Sequence, residues 1–307
     1  MAKADIAVLF ALCAAFFIAV GDVIQQRTTH EVTDQQVSPI ELFARLLRDK
    51  TWWVGSLAGG AGFGFQAAAL AFGSVLLVQA LLVTSLLFAL PMSAYFAHRR
   101  ISRAQWLWAV VLAASVAVIV TVGNPTEGHS RAGIELWIWV IAIMGPALAL
   151  CIIGAKVLGG GQERSDSGNS RGRPAAAVLL ALVSGSLWGL FAVLTKGVVG
   201  RIDHGIAAVL ISPELYAWAV VAVAATMWQQ SSFRAGSMAA SLPTMTVAEP
   251  VVGSILGIFV LGETLRPGDT GWFLLIVAVA AMVVATAALA RGEVTSKPAP
   301  ATETVPG

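Results

Sequence analysis

The chain has 307 residues, of which 57% are apolar and only 12% charged, with a formal net charge of +2 and a mean hydropathy of +0.81. Soluble domains carry about 25% charged residues, so this chain lacks the polar side chains that would cover a soluble globule of its size. The composition excludes a soluble enzyme, a disulfide scaffold and a disordered tail protein, and leaves an all-α polytopic membrane protein.

A hydrocarbon core of roughly 30 Å is crossed by about 20 apolar residues in a helix. Nine such runs are predicted, at 6–24, 52–73, 75–97, 106–123, 136–155, 175–195, 205–228, 238–262 and 271–290. Helices are expected because lipid offers the backbone no hydrogen-bond partner, and the alternating pattern of a membrane barrel is absent. The first run follows a single Lys3, has no A-x-A site close behind it, and places Leu12 before Cys13. It reads as a spanning helix, not a cleaved signal. Segment 38–47 (SPIELFARLL) is too short to cross and carries Glu41 and Arg45, so it is expected to lie at the interface or re-enter. As a tenth span it would move the N-terminus to the other side. The stretch 159–174 is polar and glycine-rich, the composition of a flexible linker, and the chain from Glu293 onward has that of a disordered tail.

Nine spans sort the basic residues unequally. Lys3, Arg131, Arg201 and Arg266 fall on the N-terminal side, fourteen fall on the other, and Lys196 stands at a membrane edge. The positive-inside rule then sets the C-terminus in the cytoplasm of a cell membrane and the N-terminus outside. Trp52, Trp53, Trp106, Trp108, Trp228 and Trp272 stand at predicted span ends, where an amphipathic ring prefers the interface. Cys13 and Cys151 each sit in an apolar run and suggest neither a bridge nor a metal cluster, and so small a net charge implies no nucleic-acid partner.

Sliding the chain against itself by 163 residues brings Gln66 onto Gln229, Gly73 onto Gly236, Ser74 onto Ser237 and Arg103 onto Arg266 without a gap. The pairs Ser38-Pro39 and Ser212-Pro213 also correspond. Residues 1–132 therefore read as a first repeat of spans one to four, 133–158 as a connecting fifth span, and 159–174 as a cytoplasmic linker. Residues 175–290 read as a second repeat of spans six to nine, and 291–307 as a cytoplasmic tail. An odd span between the copies turns the second upside down, so the fold class is about nine helices in two inverted-topology repeats. Inverted repeats are a transporter architecture with the substrate site near the midplane.

The residues Trp188-Gly189, Ser212-Pro213, Glu249-Pro250 and Leu261-Gly262-Glu263 followed by Leu265 resemble the drug/metabolite transporter superfamily, the EamA-like permeases in particular. The nine-span layout, with 21–26 (GDVIQQ), 52–73 and 229–243, is similar to the NIPA-type magnesium transporters. The resemblance runs from about Ile6 to Ala290 and implies a permease. In the repeat alignment Leu86 faces Glu249 and Arg100 faces Glu263.

Glu249 lies near the middle of its span and is followed by Pro250. A carboxylate at that depth is costly unless it faces a cavity or a partner, and proline withholds an amide from the turn before it. Gly253 and Gly257 share its helix face in a GxxxG pattern that Gly55, Gly59, Gly60 and Gly64 repeat in the second span, which suits tight packing or a homodimer. Gln66, Gln79, Thr84 and Ser85 are uncharged polar groups inside spans two and three; Gln229, Gln230, Ser231 and Ser232 follow span seven. Asp22 and Lys196 stand near span ends, where lysines snorkel, and with Glu214 could form gates. Glu263 is expected at the membrane surface, capping a helix or pairing with a loop.

The expected function is a secondary transporter with substrate held among Gln66, Gln79, Trp188, Glu249 and Pro250, and a proton or cation on Glu249. No nucleotide-binding motif is present, so a gradient would supply the energy. A divalent-cation transporter is the alternative that the NIPA resemblance implies; its magnesium would need one or two carboxylates and neutral oxygens. A membrane-embedded enzyme on lipid-linked substrates would need clustered His, Asp or a Cys-His pair, whereas His30, His98, His129 and His204 all fall in loops. No catalytic residue, cofactor or resident metal is expected.

Overall fold

The computed structural model describes residues 3–33, 50–96, 100–159, 174–235, 238–268 and 271–295. The segment 38–47, the linker at 160–173 and the tail beyond Thr295 lie outside the described residues; Glu293 itself is still helical.

The protein is an all-α polytopic membrane protein. Its helices are α1 (Lys3–Thr33), α2 (Lys50–Phe72), α3 (Val75–Leu82), α4 (Ser85–Phe96), α5 (Arg103–Thr121), α6 (Ile134–Gly159), α7 (Pro174–Val199), α8 (Ile206–Leu210), α9 (Pro213–Ala235), α10 (Met238–Leu261) and α11 (Gly271–Thr295). Among the described residues, eight segments are long and apolar enough to cross a membrane, with α3 and α4 together making one of them. α9 occupies the place of the seventh expected span and has 23 residues, but Glu214 and the run from Gln229 to Ser232 make its ends polar. α9 begins at the end of the bundle where α10 finishes, because Glu214 and Leu261 both bind the loop between α5 and α6. The two helices are therefore antiparallel.

Two expectations need correction here. The helix at the seventh expected span starts at Pro213, not near residue 205: Gly205 takes φ +92°, α8 ends at Leu210, and Ser212 accepts the Leu215 amide at 3.3 Å. Proline one residue after a serine cap is a helix start, which breaks the apolar run in two. The third span is also not one continuous helix. At Thr84 both the amide and the hydroxyl turn back to the Leu81 carbonyl, at 3.0 and 2.6 Å, and the chain tightens to three-residue bonds before α4 resumes.

α1 packs on α2 and on α3–α4; α7 packs on α9 and α10 in the corresponding way. α3 crosses α10 and α5 lies against α11, while α6 touches mainly α7 and is otherwise exposed along its length. Glycines set the two close pairs. A methyl group placed on Gly21 would lie 2.8 Å from the Gly59 nitrogen, and one on Gly189 would lie 2.7 Å from the Gly253 nitrogen. The glycine faces of α2 and α10 thus do not meet one another. α2 receives α1, whereas Gly253 and Gly257 lie under the side chains of Gln79 and Glu263. Substituting Gly189→Ala should cost about 1–3 kcal/mol through backbone overlap, and Gly60→Ala, which meets nothing within 4 Å, should cost almost nothing. Melting of both variants in detergent checks this; equal melting temperatures would contradict the packing.

Candidate functional site

The interruption between α3 and α4 opens a cavity of about 70 Å³ against α10 and α1. Its polar wall is Gln79, Ser85, Thr246 and Glu249; Ile18, Leu82, Val83 and Pro250 supply the apolar part. Helix rise fixes its depth. Leu82 ends an eight-residue helix that starts at one face of the bundle, and Glu249 stands twelve residues below the end of α10 at that same face. At 1.5 Å per residue these place the cavity roughly 12–18 Å deep, near the middle of a roughly 30 Å hydrocarbon layer.

Each wall residue is held by a local feature of its element. Gln79 is 1% exposed and lies flat over Gly253, whose missing side chain makes the room: a methyl there would meet its Nε2 at 2.8 Å. That Nε2 donor is buried with no acceptor among the described residues. Glu249 is half-buried, and Pro250 beside it has no amide hydrogen for the turn that contains Thr246. Asp22 follows Ile18 by four residues on α1, so it lies one turn along the same helix side. Among the described residues, no basic side chain lines the cavity. Among the described residues, no three His, Cys, Asp or Glu side chains gather closely enough to hold a metal ion.

Above the cavity, one end of the bundle is closed by buried charge. The Val75 and Leu76 amides at the start of α3 donate to Glu263 Oε1 and Oε2 at 2.7 and 2.9 Å, and the Leu77 amide donates to Ser74 Oγ at 3.1 Å. An anion at a helix N-terminus meets unpaired amides and the positive end of the dipole. Lys196 is 3% exposed; its Nζ donates to the Gly73 carbonyl at 2.6 Å and stands 3.6 Å from both Glu263 Oε1 and Glu127 Oε2. Burial pushes the Glu263 carboxyl above its ordinary range, and the two amides and the Lys196 ammonium pull it back. The α5–α6 loop completes the closure. Thr126 and Thr264 pair as in a strand, the His129 amide donates to Leu261 O at 2.7 Å, and the Arg266 amide donates to Gly123 O at 2.9 Å. Arg131 Nε donates to Glu214 Oε1 at 2.8 Å.

The sequence-derived site residues therefore fall in three places. Gln79, Glu249 and Pro250 come together at the cavity, and Asp22 stands one helical turn beyond Ile18 of its wall. Gln66 is buried on α2 and is not part of that wall. Trp188 is also elsewhere: it stacks on Phe63 with centroids 5.5 Å apart, and its Nε1 donates to Gln229 Oε1 at 3.2 Å, between α2, α7 and α9. Lys196 does not snorkel but is enclosed with Glu263, and Glu214 is paired with Arg131, so both belong to the closed end. Thr246 escaped the sequence reading because a threonine within an apolar run has many packing roles. Val83 escaped it because nothing apolar signals a broken helix.

No family model and no solved structure matches this chain. An uncharacterized protein of Corynebacterium glutamicum is 34% identical over 287 residues, covering 93% of this chain and 95% of that protein. The chain belongs to that protein's family.

Lys196→Met removes the cation from a buried carboxylate and should destabilise the protein by about 3–5 kcal/mol. Adding Glu263→Gln should restore part of that loss, because the amide needs no counter-charge. Thermal unfolding of the single and double variants decides; a double variant as weak as the sum of the singles would contradict the pairing.

Proposed function

We propose that this protein is a secondary transporter of the drug/metabolite transporter type, moving a small solute through the cavity at Glu249. The observation that carries the reading is a spanning helix broken at mid-depth opposite an intramembrane carboxylate on a proline-bearing helix. Irregular backbone at that depth is tolerated where it lines a cavity, and such breaks form the binding sites of transporters. The matching contacts of α1 with its next two spans and of α7 with its next two support a pair of repeats, and peripheral α6 suits the odd connecting span. Alternating access would then rock the halves about the cavity, with the Lys196–Glu263 closure released when the solute faces that end.

The positive-inside count favours a cell membrane with the C-terminus in the cytoplasm, so the closed end faces outward. Glu249, unpaired with any cation among the described residues, is the group that would carry a proton or a cationic solute. The test uses everted membrane vesicles holding a respiration-driven pH gradient, to which amines, amino acids and Mg²⁺ are added in turn. Collapse of the gradient by one class of solute, reduced at least tenfold by Glu249→Gln, is the expected result. Equal behaviour of wild type and Glu249→Gln toward every solute would remove the carboxylate from coupling.

A further inference from the structure

We propose that α1, α2 and α4 form a flap that swings against the rest of the bundle and uncovers the cavity at the end opposite the Lys196–Glu263 closure. Its two joints are the Gly73–Ser74 corner and the break at Thr84. The motion follows from the packing and does not depend on what the cavity carries. The rest of the bundle is a frame joined by backbone contact and buried hydrogen bonds. A methyl on Gly185 would lie 2.9 Å from the Met245 carbonyl oxygen, so α7 rests directly on the backbone of α10. Ser184 and Ser232 bind α7 to α9, donating to the Ala225 and Ala177 carbonyls, both at 3.0 Å. The 123–131 loop pairs with the chain between α10 and α11, where a methyl on Gly128 would overlap the Leu261 carbonyl oxygen. α3 is held on α10 by its amides on Glu263, and all eight of its residues are buried. Parting the hydrogen-bonded joints would strand buried donors and acceptors.

The flap is equally close within itself. Methyls on Gly21 and Gly62 would lie 2.8 Å from the Gly59 nitrogen and 3.0 Å from the Ile18 nitrogen, and Phe65 stacks on Phe10 and Phe17 with centroids 6.1 and 5.3 Å apart. α4 goes with α1, since Ala89 packs with Ala19 and Val23, and Phe88 meets Phe16 edge-on at 5.7 Å. Flap and frame meet through rings, Phe63 lying 5.5 Å from Trp188 and 5.8 Å from Phe191. Such contacts leave no polar group unpaired when they part. The polar tie from Lys196 Nζ to the Gly73 carbonyl sits at the corner itself, where a pivot moves least. The cavity lies in the seam, lined by Ile18 and Ser85 of the flap together with Gln79, Thr246 and Glu249 of the frame. At Thr84 the chain bonds across three residues instead of four, a tightening that marks hinges within helices. Fixed α3 thus has a joint at each end, and both lead into the flap.

Distances between paired spin labels, measured on the full-length protein in lipid nanodiscs with Cys13 and Cys151 replaced by serine, read the motion directly. The labels go on exposed positions: Leu57 and Tyr95 in the flap, Leu107 and Met227 in the frame. Leu57 stands about 24 Å along α2 from the Gly73 pivot, so a swing of about 15° moves it by roughly 6 Å. Leu57 should show two distances to Leu107 or to Met227, while the Leu57–Tyr95 and Leu107–Met227 pairs each keep one. Phe63→Ala removes the ring contact between flap and frame and should raise the open fraction by about two- to tenfold. A single Leu57 distance to both frame labels, in wild type and in Phe63→Ala alike, would overturn the proposal. So would a Leu107–Met227 pair that shifts as far as Leu57 does. The wild-type distances stand even if Phe63→Ala does not fold. Two distances in a protein that moves no solute in vesicles would uphold the flap and refute transport; one distance in a protein that does move solute would do the opposite.

Discussion

The carboxylate of Glu263 is the interaction on which the site depends. It is almost wholly buried, it accepts the first two amides of α3, and it lies beside the Lys196 ammonium. An eight-residue helix is too short to be stable by itself, so its position must come from its ends and its packing. Glu263 fixes the outer end, and Gly257 gives it the space to do so. The inner end of that helix is the broken edge of the cavity. Anything that loosens the carboxylate therefore shifts Gln79 and Val83 as well.

A buried ion pair is weak evidence for stability, since desolvation offsets much of its attraction. Its value here is geometric. Lys196 ties together the end of α7, the α2–α3 corner at Gly73, the α5–α6 loop at Glu127 and the end of α10 at Glu263. Four segments from both halves of the chain thus meet on one ammonium. Such a cluster can hold one arrangement firmly and still be replaced by water, which a continuous apolar contact cannot do as readily. The cavity and the closure are linked by α3, about 12 Å long by its eight residues.

Hydropathy made the membrane architecture legible, because a run of about 20 apolar residues has few other uses. Glu249 and Gln79 were legible for the converse reason: polar groups are expensive at that depth and stand out. The break at Thr84 was not, since Val83, Thr84 and Ser85 carry no glycine or proline and the surrounding residues are apolar. Its cause is a hydroxyl returning to the Leu81 carbonyl, a choice made by tertiary contacts. The sequence put Lys196, Glu214 and Glu263 near span ends, but not in contact. Chain order says nothing of which lysine finds which carboxylate, so Lys196 read as a snorkelling residue. Trp188 and Gln66 were grouped with Glu249 by depth alone, and depth does not specify which helix face points where.

The central claim is that a mid-membrane cavity at the α3–α4 break is reached alternately from the two sides. The direct measurement is thiol labelling of Ser85→Cys, with Cys13 and Cys151 replaced by serine, in right-side-out and everted vesicles with a membrane-impermeant maleimide. The account predicts labelling in both orientations, slowed at least severalfold by the transported solute. Labelling from one side only, unchanged by any solute that the protein binds, would contradict it.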